Sequence, residues 1–252
     1  MLLNARIDTL INSLLYFFDP ATEYFLYSPD GKSTFEIKYG SPDKVTIWEV
    51  WKLKQYYDKA HDIKNGDIVV DIGANIGEFS IWAGRKTPGG KIYAYEPYGP
   101  SFLRLIKNVK RNGLTNIVSI NQAVAAKNGN LNFYINDMSP VYNSLYKTNL
   151  TVNENSVNAV TLENIFIDNK LKNIDFLKID AEGSEYEILL HAPAALLQKI
   201  NKIFIEYHES DTLNWKGDNL VKFLTRHGFN TFKYGSIIQK LWGDTGYIKA
   251  WK

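Results

Sequence analysis

The sequence contains no cysteine, only a small excess of positive charge and no apolar run long enough to cross a membrane. The absence of cysteine excludes disulfide bonds, thiolate nucleophiles and Cys-ligated metals, so any bound metal must use carboxylates, amides or the four histidines. Lys and Arg total 29 against 27 for Asp and Glu, and the net charge of +2 argues against a nucleic-acid partner. The apolar stretch from Leu10 to Phe18 is shorter than the about 20 residues of a membrane helix, and no signal-peptide cleavage site follows it. We therefore expect a cytoplasmic protein without a transmembrane segment.

The first 62 residues are predicted to form an extension of two helices and a hairpin. Apolar residues recur at helical spacing near the N-terminus, at Leu3, Ile7, Leu10, Ile11, Leu14 and Leu15. Two strand-like segments, 23–28 and 34–39, flank the turn sequence Pro29-Asp30-Gly31, and residues 46–61 have a helical pattern. We expect the extension to face the substrate or to form a homodimer contact. A membrane-surface helix is less favoured because a basic polar face is lacking.

From residue 63 to residue 252 the pattern changes to short apolar runs, each followed by a turn and a helical stretch. The predicted helices cover residues 77–85, 101–112, 184–190 and 218–227. Such alternation predicts a doubly wound α/β fold with a parallel sheet that is buried on both faces. The last two strand-like segments, FNTFKYG and GYIKAW, have no helix between them and therefore predict an antiparallel C-terminal hairpin. A polar insertion, 136–158, is expected to be a functional or mobile loop.

The segment VVDIGANIGEFS predicts a ligand-binding turn between a buried strand and a helix. Gly73 and Gly77 allow a sharp turn and a close approach of the backbone to a ligand, and Asp71 can accept hydrogen bonds at the strand end. A dinucleotide fingerprint would need a glycine where this chain has Asn75, which weakens an NAD-binding interpretation. The next strand ends at Glu96, where an acidic side chain can bind both hydroxyls of a ribose.

DIGANIG, the acid in YEP, IDFLKIDAEGSEYEIL and IFIEYH together resemble the FkbM-type family of S-adenosylmethionine (AdoMet)-dependent methyltransferases. The resemblance extends from about residue 67 to residue 209 and does not include the extension. It implies a seven-stranded, Rossmann-like methyltransferase sheet, AdoMet as the cofactor, and methyl transfer to the hydroxyl of a sugar or natural product. It also implies that Glu96 binds the ribose and that the methionine part contacts the strand end and the loop, at Asp71, Gly73, Ala74, Asn75 and Gly77.

Two further segments are expected to contact the cofactor. In folds of this type the residues after the third strand line the adenine, which makes Gln122 and Ala123 candidates for its edge and face. Within the polar insertion, Asn143 and Ser144 are expected to reach AdoMet, and the neighbouring tyrosines to stack on a sugar, because tyrosine combines a flat apolar face with a hydroxyl.

The chemistry is expected at the ends of two later strands. FLKIDAEGSE places Asp180 at the carboxyl end of a buried strand, with Lys178 on the same side and Glu182 at the start of the next helix. The following strand offers Glu206 and His208 on one face, so Asp180, Glu206 and His208 converge if the two strands are neighbours. The alternative is a purely structural role, in which Lys178 and Asp180 form an ion pair.

Two mechanisms are compatible with these residues. In the first, His208 or Asp180 acts as the general base for the acceptor hydroxyl, while Glu182 positions the methyl group or the substrate. In the second, Asp180, Glu206 and His208 hold Mg²⁺ or Ca²⁺, which lowers the pKa of the hydroxyl. We favour the general-base mechanism without a metal, because carboxylates are common at strand ends that bind none.

The sequence therefore predicts an AdoMet-dependent O-methyltransferase that acts on a small-molecule or carbohydrate acceptor. The alternatives are an NAD-dependent oxidoreductase, an RNA methyltransferase and a binding module without catalysis. The chain lacks the N-P-P-Y-type tetrapeptide of amino-group methylases and any basic tract, which argues against a nucleic-acid acceptor.

Overall fold

The computed structural model of the protein describes residues 24–38, 41–52, 56, 61–136, 143–146, 151–210, 215–235 and 245–252. The predicted N-terminal helix, which begins near Leu3, lies outside these residues, as does part of the polar insertion. The strands are β1 Tyr24–Tyr27, β2 Thr34–Ile37, β3 Ile68–Ile72, β4 Lys91–Tyr95, β5 Ile117–Ile120, β6 Ala123–Val124, β7 Gly129–Asn136, β8 Thr151–Val160, β9 Phe176–Ile179, β10 Lys202–His208, β11 Asn230–Tyr234 and β12 Thr245–Trp251. The helices are α1 Asp43–Trp51, α2 Glu78–Lys86, α3 Gly99–Arg111, α4 Leu162–Asp168, α5 Glu185–Leu190, α6 Ala194–Leu197 and α7 Gly217–Arg226.

Seven strands form the central sheet in the order β11-β12-β10-β9-β3-β4-β5. The five strands from β10 to β5 are parallel, whereas β12 runs antiparallel to both β10 and β11. The chain therefore winds outward from β3 in one direction and from β9 in the other. In open α/β sheets, ligands bind where the strand order reverses, at the carboxyl ends of the strands. We therefore expect a ligand site at the carboxyl ends of β3, β4, β9 and β10.

Each face of the sheet is covered by its own hydrophobic cluster. On one face, Ile81 of α2 and Leu105 of α3 pack with Ile47 of α1. On the other face, Ile165 of α4 and Leu220 of α7 belong to the second cluster. Because successive side chains of a strand point to opposite faces, sheet strands buried in this way are mostly apolar, although β3 contains a buried aspartate and β9 a buried lysine. The first cluster crosses the boundary predicted at residue 62, so the described part of the extension shares a core with the residues that follow it.

The predicted doubly wound sheet with an antiparallel C-terminal pair is confirmed. The predicted helices after the strands are present with ends shifted by one or two residues, and β1 and β2 form the hairpin around Pro29-Asp30-Gly31. The helix predicted over residues 46–61 begins at Asp43 instead and already ends at Trp51. None of the helices in the described ranges is long and apolar enough to cross a membrane.

The expectation of a loop over residues 136–158 is wrong for its second half. Residues Thr151–Val160 form β8, which pairs antiparallel with β7 and parallel with β6 in a separate three-stranded sheet. Residues 153–156 are exposed, so both faces of the strand carry polar side chains in this part. A strand that is exposed on both faces lacks the alternation of apolar and polar residues from which strands are predicted.

Candidate active site

A cavity of about 560 Å³ lies at the carboxyl ends of the central strands. Its wall is formed by the loop after β3, the acid after β4, the loop after β9, the end of β10, and one side of α1. This volume is in the range of small-molecule sites, and its position at the reversal of strand order is the position expected for a ligand.

The loop after β3 can pass this close to β9 only because residue 73 is a glycine. Gly73 has a φ of +78°, and a Cβ added to it would lie 1.8 Å from the carbonyl oxygen of Asp180. The amides of Gly73 and Ala74 donate to the carbonyl of Tyr95 at 3.0 and 2.9 Å, which attaches the loop to the end of β4. Asn75 also has a positive φ of +47°, a conformation that asparagine tolerates better than most residues. Gly73, Ala74 and Asn75 all line the cavity, as predicted for cofactor-binding residues.

Two members of the predicted methionine-binding set are absent from the cavity wall formed by the described residues. Asp71 is fully buried, where it accepts a hydrogen bond from the Ser80 hydroxyl at 2.6 Å and pairs with Lys178 at 3.2 Å. Gly77 precedes α2, and a Cβ added there would lie 2.7 Å from Leu105 Cδ1. Asp71 therefore holds Lys178, and Gly77 makes room for a helix contact. Because the side chains of β3 alternate between the two faces of the sheet, Asp71 points to one face and not into the cavity at the strand ends.

Glu96 lies on the cavity wall at the end of β4, as predicted. One carboxylate oxygen accepts from the amide of Asn75 and the other from the amide of Tyr98, both at 2.8 Å. Burial raises the pKa of Glu96 to about 7, although these two hydrogen bonds oppose the shift. The carboxyl group is therefore fixed in place and changes its protonation state near neutral pH.

Lys178 connects the ends of β3 and β9 at the cavity wall. Its ammonium lies 3.2 Å from Asp71, 3.4 Å from Asp180 and 3.1 Å from the carbonyl of Gly73. Burial by itself would lower the pKa of Lys178, but the two aspartates outweigh burial and raise it. The ion pair between Lys178 and Asp180, which the sequence predicts as the structural alternative, is present.

The loop that follows β9 brings Asp180 and Glu182 together with His208. One ligand-type atom from each of the three lies within 4.8 Å of the other two. Glu182 has a φ of +49°, which is uncommon for a residue other than glycine and is characteristic of functional sites. The side chain of Ser144 does not line the cavity; its hydroxyl donates to the carbonyl of Glu182 at 2.6 Å and so supports this loop.

The candidate metal-ligand set Asp180, Glu206 and His208 requires a correction. β9 and β10 are indeed neighbours, and all three residues line the same cavity. Within the described residues, however, the group with close ligand atoms contains Glu182 in place of Glu206. The left-handed turn at Glu182 redirects its side chain, an effect that strand alternation does not predict.

His208 is held between two carboxyl groups. Its Nδ1 lies 2.9 Å from Glu185 Oε1, and its Nε2 lies 3.4 Å from Glu182 Oε2. Burial by itself would lower the pKa of His208, but Glu182, Glu185 and Glu206 raise it well above its ordinary value. The raised pKa favours the protonated ring, which argues against His208 as the group that accepts a proton.

The pKa values of two neighbouring carboxyl groups are also raised. For a carboxyl group, unlike for a histidine, a raised pKa favours the uncharged form. Burial raises the pKa of Glu182 to about 8 even though the His208 cation lowers it. Burial, followed by the charge of Asp180, raises the pKa of Glu206 well above its ordinary value. A buried carboxyl group with a pKa near 8 is well matched to proton transfer at neutral pH.

The remaining predicted contacts lie at one end of the cavity. Gln122, Ala123 and Asn143 line it, together with the apolar side chains of Phe133 and Leu145. Phe133 belongs to β7 of the small sheet, and no sequence signal marked it as a site residue. These residues form a mixed polar and apolar wall of the kind that binds a planar base.

Sequence reasoning missed two glutamates on the opposite wall. Glu49 of α1 has its pKa raised to about 7 by burial and by the charge of Asp180. Glu78, in the first turn of α2, accepts hydrogen bonds from the Thr46 hydroxyl at 2.5 Å and from the side-chain amide of Asn75 at 2.9 Å. Burial raises the pKa of Glu78 to about 7 as well. The position of Glu78 after the glycine turn was an available signal, whereas nothing in the sequence showed which side of α1 faces the cavity.

The cavity wall as described contains more carboxyl groups than basic groups. Its basic side chains are Lys178 and His208. Its carboxyl groups are more numerous and belong to Glu49, Glu78, Glu96, Asp180, Glu182 and Glu206. An excess of carboxyl groups around a cavity favours cationic ligands and disfavours anionic ones.

The sequence is similar to a known protein family and to characterised proteins. The model of the methyltransferase FkbM domain matches residues 71–231. The 31-O-demethyl-FK506 methyltransferase FkbM of Streptomyces tacrolimicus is 25% identical over 230 residues, which cover 80% of this chain and 86% of that protein. The antimetabolite synthetase AmbE of Pseudomonas aeruginosa is 26% identical over 199 residues, which cover 64% of this chain and only 9% of AmbE.

Solved structures share the fold at low sequence identity. Trm5b of Pyrococcus abyssi superposes with a TM-score of 0.50 and 15% identity, covering 92% of this chain and 56% of that one. The transferase PH0793 of Pyrococcus horikoshii gives a TM-score of 0.50 and 14% identity, with 91% and 71% covered. At these identities the likeness concerns the fold alone.

Proposed function

Because this chain belongs to the family of FkbM methyltransferase domains, we propose that it transfers a methyl group from AdoMet to a hydroxyl oxygen of a small molecule. Sugars, glycoconjugates and other natural products are the proposed acceptors. The observation that carries the proposal is the acidic cavity at the carboxyl ends of β3, β4, β9 and β10, with the glycine loop and Glu96 on its wall.

The cavity suits AdoMet better than NAD. AdoMet carries a sulfonium cation, which matches a wall that contains more carboxyl groups than basic groups. The pyrophosphate of NAD carries negative charge and would lie against the same carboxyl groups. The loop also lacks the glycine that a dinucleotide fingerprint has at the position of Asn75.

Each end of the cavity is assigned a part of the cofactor. Glu96 would accept hydrogen bonds from the ribose hydroxyls, and the backbone around Gly73 would contact the methionine part. Gln122 and Ala123 would contact the adenine, with Phe133 as an apolar surface for its face. Asp71, Gly77 and Ser144 support the loops behind these contacts and receive no direct contact in this assignment.

AdoMet, when bound, supplies an electrophilic methyl carbon on a positively charged sulfur. Asp180 would orient the acceptor hydroxyl, with its carboxylate held by Lys178. Glu182 would take the proton of that hydroxyl while the new oxygen–carbon bond forms and the sulfur–carbon bond breaks. The His208 cation beside Glu182 favours the ionised form of this carboxyl group, which is the form that accepts a proton.

A metal-assisted mechanism would use the close group of Asp180, Glu182 and His208. We do not favour it because positive charge is already supplied there by two side chains of the protein. The Lys178 ammonium lies 3.4 Å from Asp180, and the His208 ring lies 3.4 Å from Glu182. A divalent cation would have to compete with both of these groups.

Two observations support a small hydroxylated acceptor. The Streptomyces relative is named for methylation of 31-O-demethyl-FK506, which is an oxygen acceptor. Val45, Thr46 and Glu49 of α1 line the cavity, which supports a substrate-facing role for the extension. The acidic wall and the net charge of +2 do not favour RNA, whose backbone is anionic.

Two measurements test the proposed function. Isothermal titration and thermal shift should detect binding of AdoMet and no stabilisation by NAD. Transfer of labelled methyl groups from AdoMet should then be measured with a panel of sugars, glycolipids, polyketides and, for comparison, tRNA. Stabilisation by NAD alone, or methylation of tRNA alone, would contradict the proposal. Glu96→Ala serves as the variant with weakened AdoMet binding.

A further inference from the structure

Glu185, in the first turn of α5, is completely buried next to the acidic loop. Its Oε1 atom lies within hydrogen-bonding distance of three donors: the amide of Ala181 at 3.0 Å, the amide of Gly183 at 3.1 Å and His208 Nδ1 at 2.9 Å. A carboxylate in the first turn of a helix often binds the free amides of that turn. Glu185 does more than this, because its third partner belongs to another element, β10.

We propose that Glu185 is a positioning residue that fixes the His208 ring and the loop 181–183 against each other through one carboxylate oxygen. The inference deepens the proposed function, on which it rests, by adding a residue that lies behind the reacting groups. Glu185 is absent from the described cavity wall, so it acts only through the groups that it holds.

The contact determines how the ring of His208 is used. With Nδ1 directed at Glu185, the other ring nitrogen is directed at Glu182, at 3.4 Å. This is the arrangement by which a buried carboxylate orients a histidine in other enzyme sites. Glu182, the proposed proton acceptor, is therefore fixed in two ways. Glu185 accepts hydrogen bonds from the backbone on either side of it, and the His208 ring lies next to its carboxyl group.

The charge of Glu185 also acts on His208. The acidic groups that face the ring are Glu182 and Asp180 of the loop, Glu185 of α5 and Glu206 of β10 itself. Glu185 is fully buried and its Oε1 lies 2.9 Å from His208 Nδ1, so its removal as a charge should have a large effect. Loss of that charge lowers the pKa of His208, and the ring then loses its proton at a lower pH.

Glu185→Gln tests the proposal with little change in shape. The amide oxygen of glutamine can still accept from the two backbone amides, but the negative charge is gone. Glu163→Gln is the matched control, since Glu163 is an exposed glutamate in the first turn of α4. We expect Glu185→Gln to lower kcat at least about tenfold and to change the Kd for AdoMet by less than about twofold. The alkaline limb of the pH–rate profile should move to lower pH, and Glu163→Gln should change none of these.

A double-mutant cycle with His208→Gln separates positioning from stability alone. If Glu185 acts through His208, Glu185→Gln should add little to the loss of kcat in the His208→Gln background. Additive losses would overturn the proposal. Melting temperatures of all variants identify any general loss of folding.

A second measurement does not depend on an acceptor. NMR of protein with labelled histidines should show His208, assigned through His208→Gln, titrating at a lower pH in Glu185→Gln than in the wild-type protein. The signals of the other histidines serve as internal controls. An unchanged His208 titration would overturn the proposal. A shifted titration in a protein that methylates no acceptor would support the contact and refute the proposed function.

Discussion

The affinity of the protein for AdoMet should increase as the pH rises from 6 to 8, because Glu96 is proposed to bind the ribose as a carboxylate. Burial raises the pKa of Glu96 to about 7 in the free protein. Ribose hydroxyls donate hydrogen bonds, and an ionised carboxylate is the better acceptor. Binding of AdoMet should therefore favour the ionised form and release a proton.

The size of the effect follows from the pKa. At pH 6 about one molecule in eleven has an ionised Glu96, and at pH 8 about ten in eleven have one, if the pKa is near 7. If only the ionised form binds the ribose, the Kd falls about tenfold across this range, which corresponds to roughly 1.4 kcal/mol.

The same shift has a consequence for stability. The pKa of Glu96 is raised from 4.5 to about 7 on folding, so the folded state prefers the protonated group. Glu96 therefore costs stability as the pH rises from about 4.5 through 7, by roughly 3 kcal/mol at most. Glu96→Gln should remove this part of the pH dependence.

Isothermal titration at several pH values, in buffers with different ionisation enthalpies, measures both the Kd and the released protons. Glu96→Gln should bind AdoMet weakly and with a flatter pH dependence. Glu163→Gln is the control, because Glu163 is exposed in the first turn of α4 and does not line the cavity. A Kd for the wild-type protein that is constant from pH 6 to 8, or an equal slope in Glu96→Gln, would refute this reasoning.

Three further predictions concern the loops around the cavity. Asp180→Asn should lower kcat while leaving the Kd for AdoMet within about twofold, and full activity of this variant on an identified acceptor would contradict its role. Glu182→Gln should lower kcat and remove the rise in rate between pH 7 and 9, since the pKa of Glu182 is about 8 and the ionised form accepts the proton. A pH–rate profile with that rise intact would exclude Glu182 as the base. Gly73→Ala should reduce the free energy of unfolding in urea by at least about 3 kcal/mol, because the new Cβ would lie 1.8 Å from a backbone oxygen at a positive φ. Gly113→Ala, at a φ of +64° with open space around it, should cost only about 1 kcal/mol, and equal losses would show that the close contact is unimportant.

The central fold could be predicted from the sequence because its signals are local. Apolar runs mark buried strands, and glycine turns mark the points where strands enter helices. The small sheet could not be predicted in the same way. Its strand β8 has a polar sequence and forms through pairing with β7, and backbone pairing leaves no trace in side-chain periodicity.

The candidate site also has features that the sequence predicts and features that it does not. The sequence by itself determined that Gly73, Glu96 and Asp180 follow parallel strands, because the residue after a strand of known direction lies at a known edge of the sheet. Only the tertiary structure decided that Asp71 is buried beside Lys178 and that α1 brings Glu49 to the cavity. It also decided that the pKa of His208 is raised, since carboxyl groups distant in sequence lie next to the ring. Chain direction and turn chemistry are local properties, whereas burial and charge pairing arise when distant segments pack together.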